Sequence, residues 1–134
     1  MELKNSVSTN RMQFFKLSSL GVKMGTADMC GFFSGGEIVV RSLTENERNN
    51  PELFKSCEIW PSWSLGRLIE MCPKTIRVKH DEYTFMIDGE GWCGYYEDIT
   101  CEGMYIYKIF DCGDIFDNLI LCIEWLVSIG KFNE

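Results

Sequence analysis

The sequence predicts an α+β protein in which an antiparallel meander of four to five β-strands packs against two main helices, at about 64–72 and 114–129. Three observations predict this class. Apolar residues recur at helical spacing in these two segments. Runs rich in aromatic and β-branched residues lie between them, at 75–79, 83–88, 92–97 and 104–110. Their short connections are typical of antiparallel strands.

The length of 134 residues is typical of one domain, and the hydrophobic fraction of 46% is ample for one core. We therefore expect a single α+β domain over 1–134, with a polar loop at about 43–57. No apolar run approaches the ~18 residues of a membrane span, and the first ten residues lack the apolar core of a secretory signal. We expect a cytoplasmic protein that does not enter a membrane.

In the first half of the chain, the sequence predicts one helix and one hairpin. Residues 10–20 carry an incomplete apolar stripe that stops at Gly21, which is typical of a short helix. Gly35 and Gly36 predict a hairpin turn that pairs residues 32–33 with 38–40.

Two helix starts compete in the polar loop. Thr44 and Glu47 have the spacing of a capping box, but no apolar run follows them. Asn50 can cap a helix, and Pro51 is tolerated at a first helical position. We therefore place one helical turn after Asn50.

The helix at 64–72 has the clearest local signals. Ser62 or Ser64 can cap it, and Pro73 ends it because proline disfavours helical geometry in the residue before it. Its apolar face consists of Leu65, Leu68, Ile69 and Cys72.

The last helix begins at Asp114, which can cap it, and ends near Gly130. Asp117 falls in its first turn, where the helix dipole favours an anion. Its apolar stripe consists of Ile115, Leu119, Cys122, Ile123, Leu126 and Val127. In the strand at 83–88, alternation predicts that Tyr83, Phe85 and Ile87 point inward.

Charge is distributed unevenly along the chain. The net charge is −7, yet the first 80 residues carry eleven basic and eight acidic side chains, and the remaining residues carry two and twelve. A negative chain repels phosphate backbones, which argues against nucleic acid as a partner. The stretch 81–107 has no lysine or arginine, and it holds the candidate binding residues Asp81, Glu82, Asp88, Glu90, Glu97, Asp98 and Glu102.

These carboxylates fall mostly at turns of the predicted meander. Alternate turns of a meander lie at opposite ends of its sheet, so the charges are expected to divide between two rims. Asp88 and Glu90 are expected at one end, and the other five residues at the opposite end.

No cofactor, metal site or catalytic residue is predicted. The seven cysteines are odd in number, accompany no export signal and lack zinc-ligand spacing, so we expect reduced thiols. The turn Asp88-Gly89-Glu90-Gly91 carries oxygen ligands, but it does not match a calcium loop and is typical of a hairpin. His80 could shuttle protons if Cys93 or Cys101 lay beside it, although acidic neighbours raise a thiol's pKa and weaken it as a nucleophile.

Three hypotheses about function follow. The first is a non-enzymatic interaction or accessory protein whose acidic strand and turn surface meets a basic protein. Aromatic residues on both faces of adjacent strands favour a second covered face, so a homo-oligomer such as a dimer is compatible with it. The second is a small enzyme or ligand-binding domain that uses His80 with nearby carboxylates or a thiol. The third is a nucleic-acid mimic or toxin antidote.

One resemblance bears on the fold. The motif Trp-Ser-Leu-Gly-x-Leu-Ile-Glu-x-x-Pro at 63–73, the strand meander and the terminal Cys-Ile-Glu-Trp-Leu at 122–126 resemble small uncharacterised proteins of gut bacteria, often carried on phage-like or mobile elements. The resemblance covers about 60–131. It implies a fold pattern, with no activity and no functional residue.

Overall fold

The computed structural model of the protein describes residues 7–50, 52–56, 58–99 and 103–132. Within these ranges, four α-helices accompany seven strands in two antiparallel sheets, so the α+β class is confirmed. The chain folds into two compact units, residues 1–68 and 69–133, and each holds one sheet. That the chain forms a single domain stays a prediction. None of the helices in the described ranges is long and apolar enough to cross a membrane.

The helices are α1 (Arg11–Ser19), α2 (Glu45–Arg48), α3 (Leu65–Met71) and α4 (Ile115–Ser128). The strands are β1 (Met29–Ser34), β2 (Glu37–Ser42), β3 (Ile59–Ser62), β4 (Thr75–Val78), β5 (Asp81–Ile87), β6 (Cys93–Ile99) and β7 (Gly103–Phe110). The first sheet has the order β2-β1-β3, and the second has the order β4-β5-β6-β7.

The predicted hairpin is confirmed in the first unit. Gly35 and Gly36 have φ of 59° and 83° and connect β1 to β2, since glycine reaches positive φ without steric cost. The sequence does not predict β3, which pairs with the other side of β1. Gly31 of β1 faces Trp60 of β3, and a Cβ at position 31 would lie 2.5 Å from the indole Nε1. Glycine is therefore required for the indole to lie across β1.

The helical turn in the polar loop begins at Thr44, so the prediction that it follows Asn50 is wrong. The Thr44 hydroxyl accepts a hydrogen bond from the Glu47 amide, and the Glu47 carboxylate accepts one from the Thr44 amide at 2.9 Å. Arg41 holds the same carboxylate through two contacts of 2.8 and 2.7 Å. The Asn50 side chain accepts from the Glu52 amide within a turn, and Pro51 lies outside the described residues.

The first and third helices begin where a polar side chain caps them. Asn10 caps α1 through the Gln13 amide at 2.8 Å, and Gly21, with φ of 90°, follows its end, as predicted. Ser64 caps α3 through the Arg67 amide at 3.1 Å, and its hydroxyl donates to Asp28. Of the two serines considered, Ser64 is the cap.

The second unit is the predicted meander of four strands, and α4 covers one face of it. The α4 residue Trp125 packs against Tyr95, Tyr107 and Phe110, with ring centroids 5.8 to 6.0 Å apart. Asp114 caps α4 by accepting from the Asp117 amide at 2.8 Å. This cap is confirmed.

Burial in the second unit follows most of the predicted apolar pattern. In α4, the stripe residues Leu119, Cys122, Ile123 and Leu126 are buried, whereas Val127 is 37% exposed. In β5, Tyr83 is buried and Phe85 is half-buried. Ile87 pairs with the buried Cys93 and so lies on the same inward face, as predicted, although this last residue of the strand is still 39% exposed.

We predict that Lys79→Gly stabilises the protein. Lys79 begins the turn between β4 and β5 with φ of 60°, a conformation that costs a non-glycine residue about 1 kcal/mol. Urea denaturation should show a free energy of unfolding that is higher by up to about 1 kcal/mol. The exposed Lys74 has no positive φ, so Lys74→Gly serves as the control; an equal gain there would contradict the explanation.

We also predict that Glu47→Gln flattens the acid limb of the stability curve. The hydrogen bonds from Arg41, and next from the Thr44 amide, hold the pKa of Glu47 at about 2. A depressed pKa contributes stability above the unfolded value of about 4.3, and this stability is lost as the pH falls toward 2. Thermal melts between these pH values should show a smaller decline in the variant. An equal decline in the variant and in the unaltered protein would contradict this explanation.

Candidate functional site

The register of the second sheet places the candidate carboxylates at two ends, as predicted. Thr84 of β5 pairs with Tyr96 of β6, so the start of β5 with Glu82 and the end of β6 with Asp98 fall at the same end of the sheet. Asp81 and Glu97 fall at the same end, and Asp88 and Glu90 follow β5 at the opposite end. Glu102 lies outside the described residues.

The end that holds Asp81 and Glu82 is mixed in charge. Arg77 of β4 pairs directly with Glu82, and Val78 pairs with Asp81. Lys79 and His80 form the turn that connects Val78 to Asp81. Basic side chains therefore alternate with acidic ones here, and this end presents no uniform negative surface.

The opposite end gathers more carboxylates than the sequence analysis assigned to it. Cys93 at the start of β6 pairs with Phe110 at the end of β7, so the chain leaving β7 returns beside the turn after β5. We define the acidic end as the carboxylates of this turn and of the segment entering α4: Asp88, Glu90, Asp111, Asp114 and Asp117. The chain has no lysine or arginine over 88–107 or 109–130.

One buried side chain joins the two segments of the acidic end. Asn118 in the first turn of α4 has no exposed surface. Its Nδ2 donates to the Gly91 carbonyl at 2.7 Å and to the Gly113 carbonyl at 3.1 Å. Its Oδ1 accepts from the amides of Cys112 at 2.8 Å and Gly113 at 3.1 Å. The amide thus satisfies backbone groups on both segments, which fixes their separation.

The turn after β5 is itself closed by hydrogen bonds. The Asp88 carbonyl accepts from the Gly91 amide at 2.9 Å, and the Asp88 carboxylate accepts from the Glu90 amide at 2.7 Å. Gly91 has φ of 103°, which favours glycine. Glu90, Asp111, Asp114 and Asp117 are exposed and Asp88 is half-buried; of the exposed four, Asp114 caps α4 and Asp117 lies in its first turn.

The sequence analysis treated Asp114 and Asp117 only as helix-start residues and left Asp111 unassigned. Asp114 caps α4, and Asp117 lies in the first turn, where a carboxylate interacts favourably with the helix dipole. The signal for a shared surface lay in the meander itself: with four antiparallel strands, the residues after the last strand return to the end where the second turn lies.

The carboxylates of the acidic end do not form a metal-binding group. Within the described residues, no three His, Cys, Asp or Glu side chains converge in an arrangement that holds a metal ion. Separated carboxylates at a surface are suited to long cationic side chains, each of which reaches one or two of them.

The structure does not bring His80 together with a thiol. His80 is exposed in the turn between β4 and β5, and within the described ranges no hydrogen bond or ion pair joins it to another residue. Cys93 is fully buried at the far end of β6. Cys101 lies outside the described residues.

Three thiols instead form a cluster in the core of the second unit. Cys72, Cys93 and Cys122 are buried, and hydrogen bonding to Cys72 and Cys93, together with burial, raises the pKa of Cys122. Tyr95 lies beside them and donates to the Pro73 carbonyl at 2.7 Å; its pKa is raised mainly by burial. A raised pKa keeps Cys122 protonated and unreactive at neutral pH.

A cavity of about 530 Å³ lies in the first unit, and none of the candidate binding residues lines it. Its wall is apolar at Leu43 and Phe54 and polar at Arg48 and Asn49. These residues belong to the polar loop, where the capping-box spacing of Thr44 and Glu47 predicts a helix start and carries no signal for a cavity.

We predict that Asn118→Ala destabilises the second unit strongly. The change removes four hydrogen bonds and leaves the carbonyl of Gly91 and the amides of Cys112 and Gly113 without this partner. The expected loss is about 2–4 kcal/mol in chemical denaturation. The exposed Asn49 provides the control, since Asn49→Ala should cost under about 0.5 kcal/mol. Equal losses would show that the amide contacts are not stabilising.

In comparisons with known proteins, no protein-family model matches the chain, and neither a curated protein nor a solved structure gives a significant match. The resemblance to small proteins of gut bacteria therefore stays a prediction. The function rests on the geometry of the chain alone.

Proposed function

We propose that the protein is a non-enzymatic interaction protein that docks a basic segment of a protein partner at its acidic end. The observation that carries this proposal is the Asn118 amide, which holds two carboxylate-bearing segments together within 3.1 Å contacts. Carboxylates on separate segments repel one another, so holding these segments close together creates a negative electrostatic potential at the surface. A cationic partner binds favourably to such a surface.

The local charge balance supports a cationic ligand. The segments that form the acidic end carry five carboxylates and no lysine or arginine, whereas Arg77 and Lys79 accompany the carboxylates at the other end of the sheet. Salt screens the interaction between charges that are more than about 8 Å apart at physiological ionic strength. The attraction for a cationic ligand therefore comes from the carboxylates of the acidic end itself. Attraction of this kind raises association rates and selects partners by sign.

Apolar side chains lie next to the charges. Ile87 precedes the turn with 39% exposure, and Ile109 near the end of β7 is 45% exposed. Interfaces commonly combine an apolar centre with a polar rim. The partner segment that fits is therefore one in which lysine or arginine side chains flank a few apolar residues.

We predict that Glu90→Gln with Asp111→Asn weakens binding to a basic peptide. Both side chains are exposed, and neither caps a helix. With a fluorescein-labelled oligolysine peptide, fluorescence anisotropy should show a dissociation constant raised about tenfold, equivalent to about 1.4 kcal/mol. Affinity of the unaltered protein should fall steeply with added salt.

The matched control removes the same charge from the other end. Asp81→Asn with Glu82→Gln alters two exposed carboxylates of the same sheet and should change the affinity less than about twofold. If both double variants lose the same affinity, binding reflects net charge alone and the acidic end is not a site. Salt-insensitive binding would also contradict the proposal.

A further inference from the structure

The two sheets have four edge strands, and three of them carry features that prevent further pairing. The edges are β2 and β3 in the first sheet and β4 and β7 in the second. An edge strand presents unpaired amides and carbonyls that can pair with another chain unless charge, proline, a bulge or a covering segment blocks them.

The β3 edge is blocked twice. Trp60 and Ser62 face β1, so Pro61 faces outward, and proline offers no amide to a new strand. The segment before α1 also covers this edge, because the Thr9 amide donates to the Trp63 carbonyl at 2.9 Å and the Trp63 amide donates to the Thr9 hydroxyl at 3.0 Å.

The edges of the second sheet are blocked by charge, length and irregularity. β4 has only four residues and carries Arg77. β7 carries the exposed Lys108, and its register with β6 shifts between Tyr95 and Tyr96. Short length, cationic side chains and bulges are the usual protections of an edge.

Within the described residues, the β2 edge carries one cationic side chain, Arg41, but lacks the other protections. Its six residues contain no proline, glycine or lysine, and its register with β1 is regular over all six pairs. Ile38 is 58% exposed and Val39 is 37% exposed, so apolar side chains extend from both faces of the strand. A long, regular and apolar edge is suited to strand addition.

The backbone of β2 presents alternate residues outward. The Leu43 amide donates to the Asp28 carbonyl at 3.0 Å, and the hairpin closes between Ser34 and Glu37. Because inward and outward residues alternate, Val39 hydrogen-bonds to β1, whereas Ile38, Val40 and Ser42 point their amides and carbonyls away from it.

We propose that β2 pairs antiparallel with β2 of a second copy of the chain, centred on Val39. In this register Ile38 lies opposite Val40 of the second copy, and their outward backbone groups form the hydrogen bonds of the ladder. Two three-stranded sheets then become one sheet of six strands. The proposal is independent of the acidic end, which lies in the second unit.

Side chains of β2 complement themselves in this register. Glu37 lies opposite Arg41 of the second copy, and the two-fold symmetry repeats this pair at the other end of the strand. Val39 meets its own symmetry mate between the two ion pairs on that face, and Ile38 meets Val40 on the other. Four charged and six apolar side chains thus find suitable partners.

Other registers lose this match. Only shifts of two residues preserve the hydrogen-bonding pattern, and a pairing centred on Val40 places Glu37 opposite Leu43 and Arg41 opposite Val39. A parallel pairing in register places each charge beside its equal. The charges at 37 and 41 therefore select the antiparallel pairing centred on Val39.

Arg41 has donors left for the second copy. It contacts Glu47 through Nη1 and Nη2, and the Ser42 carbonyl through Nη1. A guanidinium has five N–H donors, so at least two remain for Glu37 of the second copy. Glu47 also holds Arg41 in place, which lowers the entropy lost when the intermolecular pair forms.

The test is a charge-swap experiment followed by sedimentation. Analytical ultracentrifugation of the unaltered chain should show a mass that rises with concentration from 15.5 kDa toward twice that value. Glu37→Lys alone places Lys opposite Arg41, and Arg41→Glu alone places two glutamates opposite each other, so each variant should remain monomeric. An equimolar mixture of the two variants restores both opposite-charge pairs and should dimerise.

The control is Glu58→Lys, which makes the same charge change at an exposed residue of the same unit outside β2 and should leave dimerisation intact. A constant mass of 15.5 kDa for the unaltered chain, or a mixture of folded variants that stays monomeric, would overturn the proposal. Circular dichroism establishes that each variant is folded.

A cysteine variant tests the register even if Arg41→Glu fails to fold. In a Cys112→Ser background, Val39→Cys places two thiols at the symmetry centre, where Cα atoms of opposite residues lie about 4.5 Å apart. Ser42→Cys places them about 20 Å apart, since six residues separate them along the strand. Mild oxidation with diamide should cross-link the first variant at least about tenfold faster. Equal rates would overturn the register.

Discussion

The arrangement of the second unit depends on the buried amide of Asn118. Its four hydrogen bonds connect the turn after β5, the segment after β7 and the first turn of α4. A neutral amide suits this position, because it both donates and accepts without adding to the surrounding negative charge. The apolar packing of α4 on the sheet and the charge pattern at the surface are thereby set by the same residue.

Local signals predicted elements well where one residue type has one physical role. Gly35 and Gly36 predicted the hairpin, Asp114 predicted the start of α4, and the aromatic runs predicted the four-stranded meander. Competing local signals were harder to resolve. The capping-box spacing of Thr44 and Glu47 was set aside because no apolar run follows it, yet this box forms, and Arg41 from β2 holds the same Glu47 carboxylate.

Features that depend on contacts between distant parts of the chain could not be predicted from local sequence patterns. β3 contains a proline and only four residues, so its strand character comes from pairing with β1 and not from its own composition. The acidic end required the register of β6 with β7 before Asp111 could be placed beside the turn at Asp88. The side chain that joins them, Asn118, lies in the first turn of an apolar helix, where the sequence pattern gives this polar residue no special role.

The close packing of Trp60 on Gly31 links two positions that lie 29 residues apart in the chain. Any side chain at position 31 would occupy the space of the indole, and a smaller residue at position 60 would leave that space empty. Among related sequences these positions should therefore vary together: a residue larger than glycine at 31 becomes acceptable only when the tryptophan at 60 has been replaced by something small. The pair gives β1 and β3 a joint evolutionary constraint that neither strand would show alone.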